Sequence, residues 1–249
     1  MNIVICIKPV KTQLVYPNEE RKNNLSINPY DLYTLQECIK LKNKYNLHII
    51  CLSMGTHNSA EILKRCIAMG ADDAALISDS AFAGSDTVST TYILSSVIQK
   101  HYGDSIVLCG ASSVDGETGQ VVYGLASRLN LPCITNMVKI ISIGDGGAIV
   151  EYQDGCIIKK VHIQGNFVGA YDNFTTKEGI VSLLRLKRVS KLQIPIYNNA
   201  NLSLDKKRCG LDGSKTKVVK VEQDTFSKEC ISIEGDADEK AKKILSIIR

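Results

Sequence analysis

Residues 106–131 read IVLCGASSVDGETGQVVYGLASRLNL, and this is the most informative stretch of the chain. Its first four residues are apolar, as in a strand that is covered on both faces, and Gly110 ends that strand with a residue that lets the backbone approach a ligand. Apolar residues then recur at helical spacing, which predicts a helix that begins near residues 115–117. Gly116 and Gly119 carry no side chain that would hold a phosphate away from the N–H groups of this helix start. The stretch predicts a nucleotide-binding junction, with an ordinary capped helix start as the alternative.

Composition restricts the class of protein. The chain has 249 residues, of which 44% are hydrophobic, so it can bury a full core. Its net charge of +4 is modest and its basic residues alternate with acidic ones, which argues against nucleic-acid binding. No apolar run reaches the roughly 18 residues of a membrane-spanning helix, and the N-terminus is too quickly charged for a signal peptide. Nine dispersed cysteines without a C-x-x-C pair fit free thiols, so we expect a soluble, cytoplasmic protein.

Strands and helices alternate over the first half of the chain. The predicted strands are 2–7, 48–52, 73–77 and 105–109, and the predicted helices are 29–44, 59–69 and 86–100. This order predicts an α/β fold with a parallel sheet, helices on both faces and ligands in the crevice beyond the carboxyl ends of the strands. The segments expected at that crevice are the loop after residue 7 and residues 28–31, 53–55, 82–87 and 110–121.

The second half has a different character. Short β-like runs at 139–143, 148–152 and 156–163 are separated by GDGG and QDG turns, which predicts a hairpin extension of the sheet. Residues 175–188 are predicted to contain a helix, and 191–220 to form an extended arm with little core of its own. A strand-like ISIE and a final helix end the chain. We therefore expect an α/β domain over 1–190, and over 191–249 an arm that packs on a partner subunit.

Five short motifs occur in order over about the first 143 residues. They are IVICIKPV near the start, SINPYD at 26–31, LSMG at 52–55, AMGAD at 68–72 and VLCGASSVDGETGQV at 107–121. The set resembles the β subunit of electron transfer flavoproteins, and the tail ISIEGDADEKAKKILSIIR resembles the C-terminus of that family. The resemblance implies an adenine nucleotide α-hydrolase-like, Rossmann-like fold and a heterodimer with an α subunit that carries an electron-transferring FAD. It also implies a nucleotide site in the β subunit, which holds AMP in the ordinary branch and a second FAD in the electron-bifurcating branch.

Two motifs resemble the bifurcating branch: ISDSAFAGSDTVSTTY at 77–92 and DGET at 115–118. Gly84 and Gly116 would leave room for the larger dinucleotide, and residues 85–87 would supply polar groups for the ribityl chain or the flavin ring. The resemblance therefore implies FAD at this site, with AMP as the alternative.

The crevice and the resemblance together give a candidate cofactor site. Its adenosine end is expected at Cys6, 28–31 and Met54, its pyrophosphate end at 115–121 and its flavin end at 82–87. The full set is Cys6, Asn28, Pro29, Tyr30, Asp31, Met54, Phe82, Ala83, Gly84, Ser85, Asp86, Thr87, Gly110, Ala111, Ser112, Ser113, Val114, Asp115, Gly116, Glu117, Thr118, Gly119, Gln120 and Val121. Phe82 as a core residue, and the S-D-T sequence as an ordinary helix start, remain the alternative. The four histidines are scattered, so we expect no catalytic residue and no metal site, and the chemistry would be that of the cofactor.

The resemblance implies that the chain and its α subunit pass electrons between NADH, an acyl-CoA-type or other flavin dehydrogenase, and a low-potential acceptor such as ferredoxin or flavodoxin. The alternatives are an ordinary AMP-binding β subunit and a non-redox regulator that binds adenine nucleotide. Residues 162–190 depart from the family, since no proline occurs between Pro132 and Pro195, so a dehydrogenase contact cannot be carried over. The basic residues Arg185, Lys187, Arg188 and Lys191 form either a partner surface or a solvated face.

Overall fold

The structure, a computed structural model, describes residues 1–16, 24–144, 146–179, 181, 183–220 and 232–248. It contains two compact units, Met1–Lys217 and Val218–Arg249. The larger unit contains the sheet, and the described part of the smaller one contains the last helix. The first unit ends at Lys217, whereas the sequence predicted a boundary at residue 190.

The elements follow the alternation that the sequence indicates. The strands are β1 (Asn2–Cys6), β2 (Pro9–Lys11), β3 (Leu25–Ile27), β4 (His48–Met54), β5 (Asp73–Ile77), β6 (Ser105–Gly110), β7 (Cys133–Gly144), β8 (Gly147–Asp154), β9 (Ile157–Gln164), β10 (Val168–Tyr171) and β11 (Ile196–Tyr197). The helices are α1 (Thr12–Val15), α2 (Pro29–Tyr45), α3 (Ser59–Met69), α4 (Thr87–His101), α5 (Val121–Leu129), α6 (Leu183–Ser190), α7 (Asn199–Leu202), α8 (Gly210–Gly213) and α9 (Ala237–Ile248), with 3-10 turns at Ser80–Phe82 and Lys206–Arg208.

Among the described residues, nine strands form one sheet in the order β11-β5-β4-β1-β6-β10-β7-β8-β9. Neighbours from β11 to β7 are parallel, whereas β8 and β9 extend the sheet as antiparallel hairpins. Strands β2 and β3 form a separate antiparallel pair. The predicted parallel sheet with a hairpin extension is confirmed.

Helices cover both faces of the parallel part. Apolar residues of α2 and α3, such as Leu35 and Leu63, are fully buried in a core on one face. Ile93 of α4 and Leu125 of α5 are fully buried in a core on the other. The chain runs outward from β1 through β4 to β5, and then returns through α4 to β6 on the opposite side of β1. The connections therefore diverge between β1 and β6, which is the position where open α/β sheets bind ligands.

Two predictions about single elements were wrong, and a third was right only in part. Helix α5 begins at Val121 and not near residues 115–117. The predicted 175–188 region does contain the start of a helix, but α6 covers Leu183–Ser190; residues 180 and 182 lie outside the described part. Of the strand-like ISIE segment, residue 231 lies outside the described residues and 232–234 are not in a strand.

The predicted core-poor arm is largely integrated into the larger unit. Strand β11 adds a parallel strand at the edge of the sheet beside β5. Ile194, Leu202 and Cys209 are buried, so this segment contributes apolar side chains that the polar appearance of its sequence concealed.

The cysteines in the described ranges are free thiols, and most are buried, as predicted; Cys230 lies outside those ranges. No helix in the described part of the chain is long and apolar enough to cross a bilayer.

Candidate functional site

The divergence point between β1 and β6 carries a cluster of polar contacts. Lys8 follows the carboxyl end of β1, and its Nζ donates hydrogen bonds to Asp115 Oδ1 at 2.6 Å and to Ser113 Oγ at 3.2 Å. Both partners lie in the loop after β6. The two strands on either side of the divergence point are thus linked through one lysine, at the crevice that the alternation of elements predicts.

Asp31, in the first turn of α2, holds the two strand ends together. Its Oδ2 accepts from the backbone N–H of Lys8 at 2.8 Å, and its Oδ1 accepts from the N–H of Gly110 at 3.0 Å. The side chain is buried, and this burial raises its pKa to about 7, although the hydrogen bonds from Lys8, Asn28 and Gly110 act in the opposite direction. A carboxyl group that titrates near neutral pH therefore fixes the geometry of the crevice.

Asn28, at the N-cap of α2, makes the third link between these segments. Its Nδ2 donates to the carbonyl of Ser112 at 2.8 Å, and its Oδ1 accepts from the N–H of Val114 at 3.3 Å. Its own N–H donates to the carbonyl of Lys8 at 3.0 Å. Because both ends of this buried amide bond to the loop after β6, the loop is positioned by α2.

The loop between β6 and α5 explains why the helix begins later than predicted. Glu117 and Gly119 have φ angles of 51° and 61°, in the left-handed region that a right-handed helix excludes. The loop therefore turns twice before α5 starts at Val121. The backbone N–H groups of 115–117 do not form the start of a helix.

Two glycines of the loop differ in how much space surrounds them. A Cβ on Gly110 would lie 2.4 Å from Tyr30 Cβ, so this glycine admits the start of α2 and not a ligand. A Cβ on Gly116 would meet nothing nearer than Lys8 Nζ at 3.9 Å, so the space over this residue is open. The φ of Gly116 is not in the left-handed region, and a larger side chain there would not strain the backbone.

Lys8 and Asp115 form an ion pair at the loop. Burial raises the pKa of Asp115, but the hydrogen bonds from Lys8 and Ser113 outweigh it and leave that pKa below its usual value. The carboxylate therefore stays ionised and pairs with the ammonium group of Lys8. Lys8 was not among the predicted site residues. The signal for it was a basic residue directly after the first buried strand.

The predicted flavin end, residues 82–87, is organised differently from the expectation. Phe82 is a core residue, 4% exposed and packed among the apolar side chains on the α4 face of the sheet. Gly84, with φ at 74°, is exposed, but a Cβ there would lie 2.6 Å from the side chain of Leu211 in the arm. Leu211 is itself 57% exposed, so the space beside this glycine depends on the position of one surface side chain.

The polar groups of the same turn are also engaged by the arm. The Oγ of Ser85 accepts from the N–H of Gly210 at 3.2 Å. Asp86 caps α4 by accepting from the N–H of Ser89 at 3.0 Å, and its Oδ2 accepts from the N–H groups of Lys215 at 2.6 Å and Thr216 at 3.0 Å. Ser85 and Asp86 thus make contacts within the chain, which favours the helix-start interpretation for both.

Six further predicted site residues lie in three places. Thr87 and Gln120 line one groove between α4 and α5, which joins the 82–87 turn to the end of the loop after β6. Cys6 and Met54 end β1 and β4 at the carboxyl edge of the sheet. Pro29 and Tyr30 begin α2, and Tyr30 packs on Phe174 with ring centroids 5.5 Å apart. The structure therefore brings 28–31 and 110–116 together around Lys8.

No group of three or more histidine, cysteine or acidic residues in the described part of the chain could hold a metal ion.

Comparisons with known proteins identify relatives of this chain. The family model of the electron transfer flavoprotein domain matches residues 18–165. The chain is 34% identical to the electron transfer flavoprotein subunit beta of Thermoanaerobacterium thermosaccharolyticum, over 88% of this chain and 86% of the relative. It is 32% identical to protein FixA of Azotobacter vinelandii, over 89% and 83%. It is 33% identical to subunit CarD of the caffeyl-CoA reductase-Etf complex of Acetobacterium woodii, over 77% and 73%.

Proposed function

Because the chain belongs to the electron transfer flavoprotein family and is a β-subunit relative, we propose that it binds FAD at the crevice between β1 and β6. With an α subunit it then passes electrons between NADH, a flavin dehydrogenase and a low-potential acceptor, by flavin-based bifurcation. The observation that carries the nucleotide site is the contact of Lys8 with both Ser113 and Asp115 at the divergence point of the sheet.

The residues of the crevice fit a pyrophosphate. A phosphate oxygen would replace the Asp115 carboxylate as the partner of Lys8 Nζ. Ser113 would supply a hydroxyl group, which lies 3.2 Å from the same Nζ. Gly116 leaves the space over the loop open. Asn28 and Asp31 do not need to touch the ligand, because their contacts hold the loop and Lys8 in place. A bound flavin would supply the coupling of two-electron and one-electron steps.

FAD needs space for its flavin ring at the predicted flavin end, residues 82–87, whereas AMP does not. The FAGSDT and DGET motifs, together with the open space at Gly116, support FAD. The position of Leu211 over Gly84 favours the second candidate, an ordinary AMP-binding β subunit, because an AMP molecule needs only the Lys8 end of the crevice. FAD binding would require the arm to shift Leu211 away from Gly84. A third candidate is a non-redox regulator, and the purified protein would then be colourless.

Electron transfer flavoprotein β subunits act with an α subunit, and we propose that α9 contributes to this interface. Its residues Ile244, Leu245 and Ile247 are exposed in the described part of the chain. Helix α6 exposes Leu183 and Leu184 beside the basic residues, so we propose it as the contact for an acyl-CoA-type or other flavin dehydrogenase. Ferredoxin or flavodoxin as acceptor, and a cytoplasmic location, stay predictions from the sequence.

The test is the cofactor content of the purified α/β complex, followed by anaerobic titration with NADH. The proposal requires two FAD per heterodimer, and rapid bleaching of one of them by NADH. One FAD with one AMP, and no reaction with NADH, would identify the ordinary AMP-binding branch. A colourless complex that binds adenine nucleotide would exclude a redox role.

A further inference from the structure

The arm carries a concentration of positive charge. Residues 198–217 contain five basic residues and only two acidic ones, Asp205 and Asp212. The basic side chains are all exposed, and they belong to Lys206, Lys207, Arg208, Lys215 and Lys217. We call these five residues, together with Arg128 of α5, the basic surface. This excess is local, since the whole chain has 30 basic and 26 acidic residues.

Two arginines of the basic surface are held together on one aromatic ring. The guanidinium carbon of Arg208 lies 3.9 Å from the centroid of the Tyr92 ring, and that of Arg128 lies 5.6 Å from it. Arg128 also donates from Nε to Thr91 Oγ1 and from Nη2 to the carbonyl of Val88, both at 3.1 Å. Burial, and then the charge of Arg208, lower the pKa of Arg128. The ring attracts both cations but does not neutralise them, so a facing negative charge would relieve their repulsion.

Acidic side chains near the arm do not neutralise this charge. Within the ranges that the structure describes, none of the six side chains of the basic surface forms an ion pair. The carboxylate of Asp205 accepts from the backbone N–H of Lys207 at 3.0 Å. That of Asp79 accepts from the N–H groups of Ala81 and Asn199, both at 2.9 Å. These carboxylates therefore cap backbone turns, and the charge of the basic side chains remains available to a partner.

The basic surface lies beside the predicted flavin end, residues 82–87. The N–H of Lys215 donates to Asp86 Oδ2 at 2.6 Å, which fixes the arm to this turn. Leu211, between Arg208 and Lys215 along the chain, is exposed and lies over Gly84. An apolar side chain with charged neighbours is typical of a protein-binding surface, in which a small apolar centre has a polar rim. A protein bound here would come close to a flavin at residues 82–87.

The form of this surface favours an acidic protein over an anionic membrane. Two guanidinium groups with a fixed orientation suit carboxylates, which guanidinium can bind through two parallel hydrogen bonds. Attraction to anionic lipid depends on the number of basic residues and needs no such geometry. Interfacial membrane binding also uses a long amphipathic helix, whereas the helical turns here, Lys206–Arg208 and Gly210–Gly213, have three and four residues.

We propose that the basic surface is the docking site of an acidic one-electron carrier protein. The redox role of this partner rests on the proposed function, in which the oxidised carrier gains one electron and the reduced flavin loses it. Complementary charge steers such partners together and raises the association rate, and salt weakens the effect. The complex is therefore expected to be transient and to depend strongly on ionic strength.

The test is calorimetric titration of the oxidised α/β complex with two acidic carriers, a bacterial ferredoxin and a flavodoxin, without any reductant. At least one of them should bind at about 20 mM salt, and its Kd should rise by about tenfold or more at about 200 mM salt. The double variant Lys206→Gln, Lys207→Gln should weaken binding at low salt by about tenfold, and Arg208→Gln should also weaken it. The matched control, Lys187→Gln with Arg188→Gln on α6, removes the same charge and should bind normally. Circular dichroism and cofactor content establish that each variant is folded.

Three results would overturn the proposal: no binding of either carrier at low salt, equal binding by the Lys206/Lys207 variant and the unaltered complex, or loss of binding in the α6 control. A parallel experiment uses vesicles of phosphatidylserine and phosphatidylcholine in equal amounts. Vesicle binding that is lost in the Lys206/Lys207 variant, without carrier binding, would assign the surface to a membrane and also overturn the proposal. Because the titration transfers no electron, bound AMP or a failed NADH reaction would contradict the proposed function and leave the docking result unaffected.

Discussion

Lys8 Nζ lies 2.6 Å from Asp115 Oδ1, and this contact joins the end of β1 to the loop after β6 across the divergence point of the sheet. The side chains are 47% and 36% exposed, so the pair contributes little to stability, on the order of 1 kcal/mol or less. Its importance lies in position: the lysine is held where a phosphate could replace the carboxylate.

Lys8→Gln is expected to weaken nucleotide binding by about 10- to 100-fold, the value of a lost charge-assisted hydrogen bond. Asp115→Asn should leave binding unchanged or strengthen it, because the lysine no longer has a competing carboxylate. The measurement is calorimetric titration with AMP or FAD, and Lys100→Gln, whose Nζ bonds to a carbonyl of the arm, is the control. Equal binding by Lys8→Gln and the unaltered protein would place the phosphate elsewhere.

Asp31 predicts a pH dependence of stability. Burial raises its pKa to about 7 in the folded state, above the usual value of 3.8. The folded state therefore holds this proton more tightly than the unfolded chain does. The contribution of the protonated carboxyl group to the free energy of unfolding is fully present below about pH 4 and is lost as the pH rises through about 7.

The measurement for Asp31 is the urea midpoint of unfolding between pH 4 and pH 8. The midpoint should fall across this range in the unaltered protein, and Asp31→Asn should flatten the decline. This variant should also be less stable at low pH by about 1–3 kcal/mol, because an amide oxygen can serve only one of the N–H groups of Lys8 and Gly110. Asp154→Asn, an exposed position, is the control. An unchanged slope in Asp31→Asn would contradict the assignment.

The parts of the fold that could be read from the sequence are those with local causes. Helix α3 was predicted with its observed bounds because Gly70, whose φ is 142°, ends it at a position where other residues are strained. The start of α5 could not be predicted, because Glu117 adopts a left-handed φ that its residue type disfavours. A turn whose conformation depends on tertiary contacts is difficult to predict from the amino acids that form it.

The candidate site shows the same limit. Residues 28–31, at the start of α2, and residues 110–116, after β6, were expected at one crevice beyond the carboxyl ends of the parallel strands. The structure brings the two segments together. The loop after residue 7 was expected at the crevice, but Lys8 was not named as a site residue, since its contact with Asp115 depends on β1 and β6 being neighbours. The contact between Gly84 and Leu211 could not be foreseen for a similar reason, because the two residues are distant in sequence.

Gly116→Val should weaken nucleotide binding by about tenfold or more while stability changes by about 0.5 kcal/mol or less. The new side chain would fill the open space beside Lys8 and Ser113, and the φ of this residue does not penalise it. Gly144→Val, at a strand end with no atom within 4 Å of the added Cβ, is the matched control. Calorimetric titration and thermal unfolding check both effects, and a large loss of stability would contradict the absence of strain.

Ser214→Ala should release the arm from the 82–87 turn. The Oγ of this buried serine lies 2.8 Å from the N–H of Asp86, 3.0 Å from the carbonyl of Gly84 and 2.7 Å from that of Gly210. Its loss should cost about 1–3 kcal/mol and speed tryptic cleavage within 206–208. Ser190→Ala, an exposed position, should do neither. Cleavage at equal rates in both variants would show that other contacts hold the arm.

Leu211→Ala tests whether the arm controls access to the predicted flavin end. Leu211 is 57% exposed and lies over Gly84, so its truncation should remove an obstacle at little cost in stability. If FAD must displace this side chain, the affinity for FAD should rise by roughly three- to tenfold, because the cost of displacement is on the order of 1 kcal/mol. AMP affinity should stay the same, since AMP needs only the Lys8 end. Leu183→Ala on α6 is the control for an exposed leucine. Parallel titrations with FAD and AMP measure the difference, and equal changes for the two ligands would mean that Leu211 does not lie on the path of the flavin.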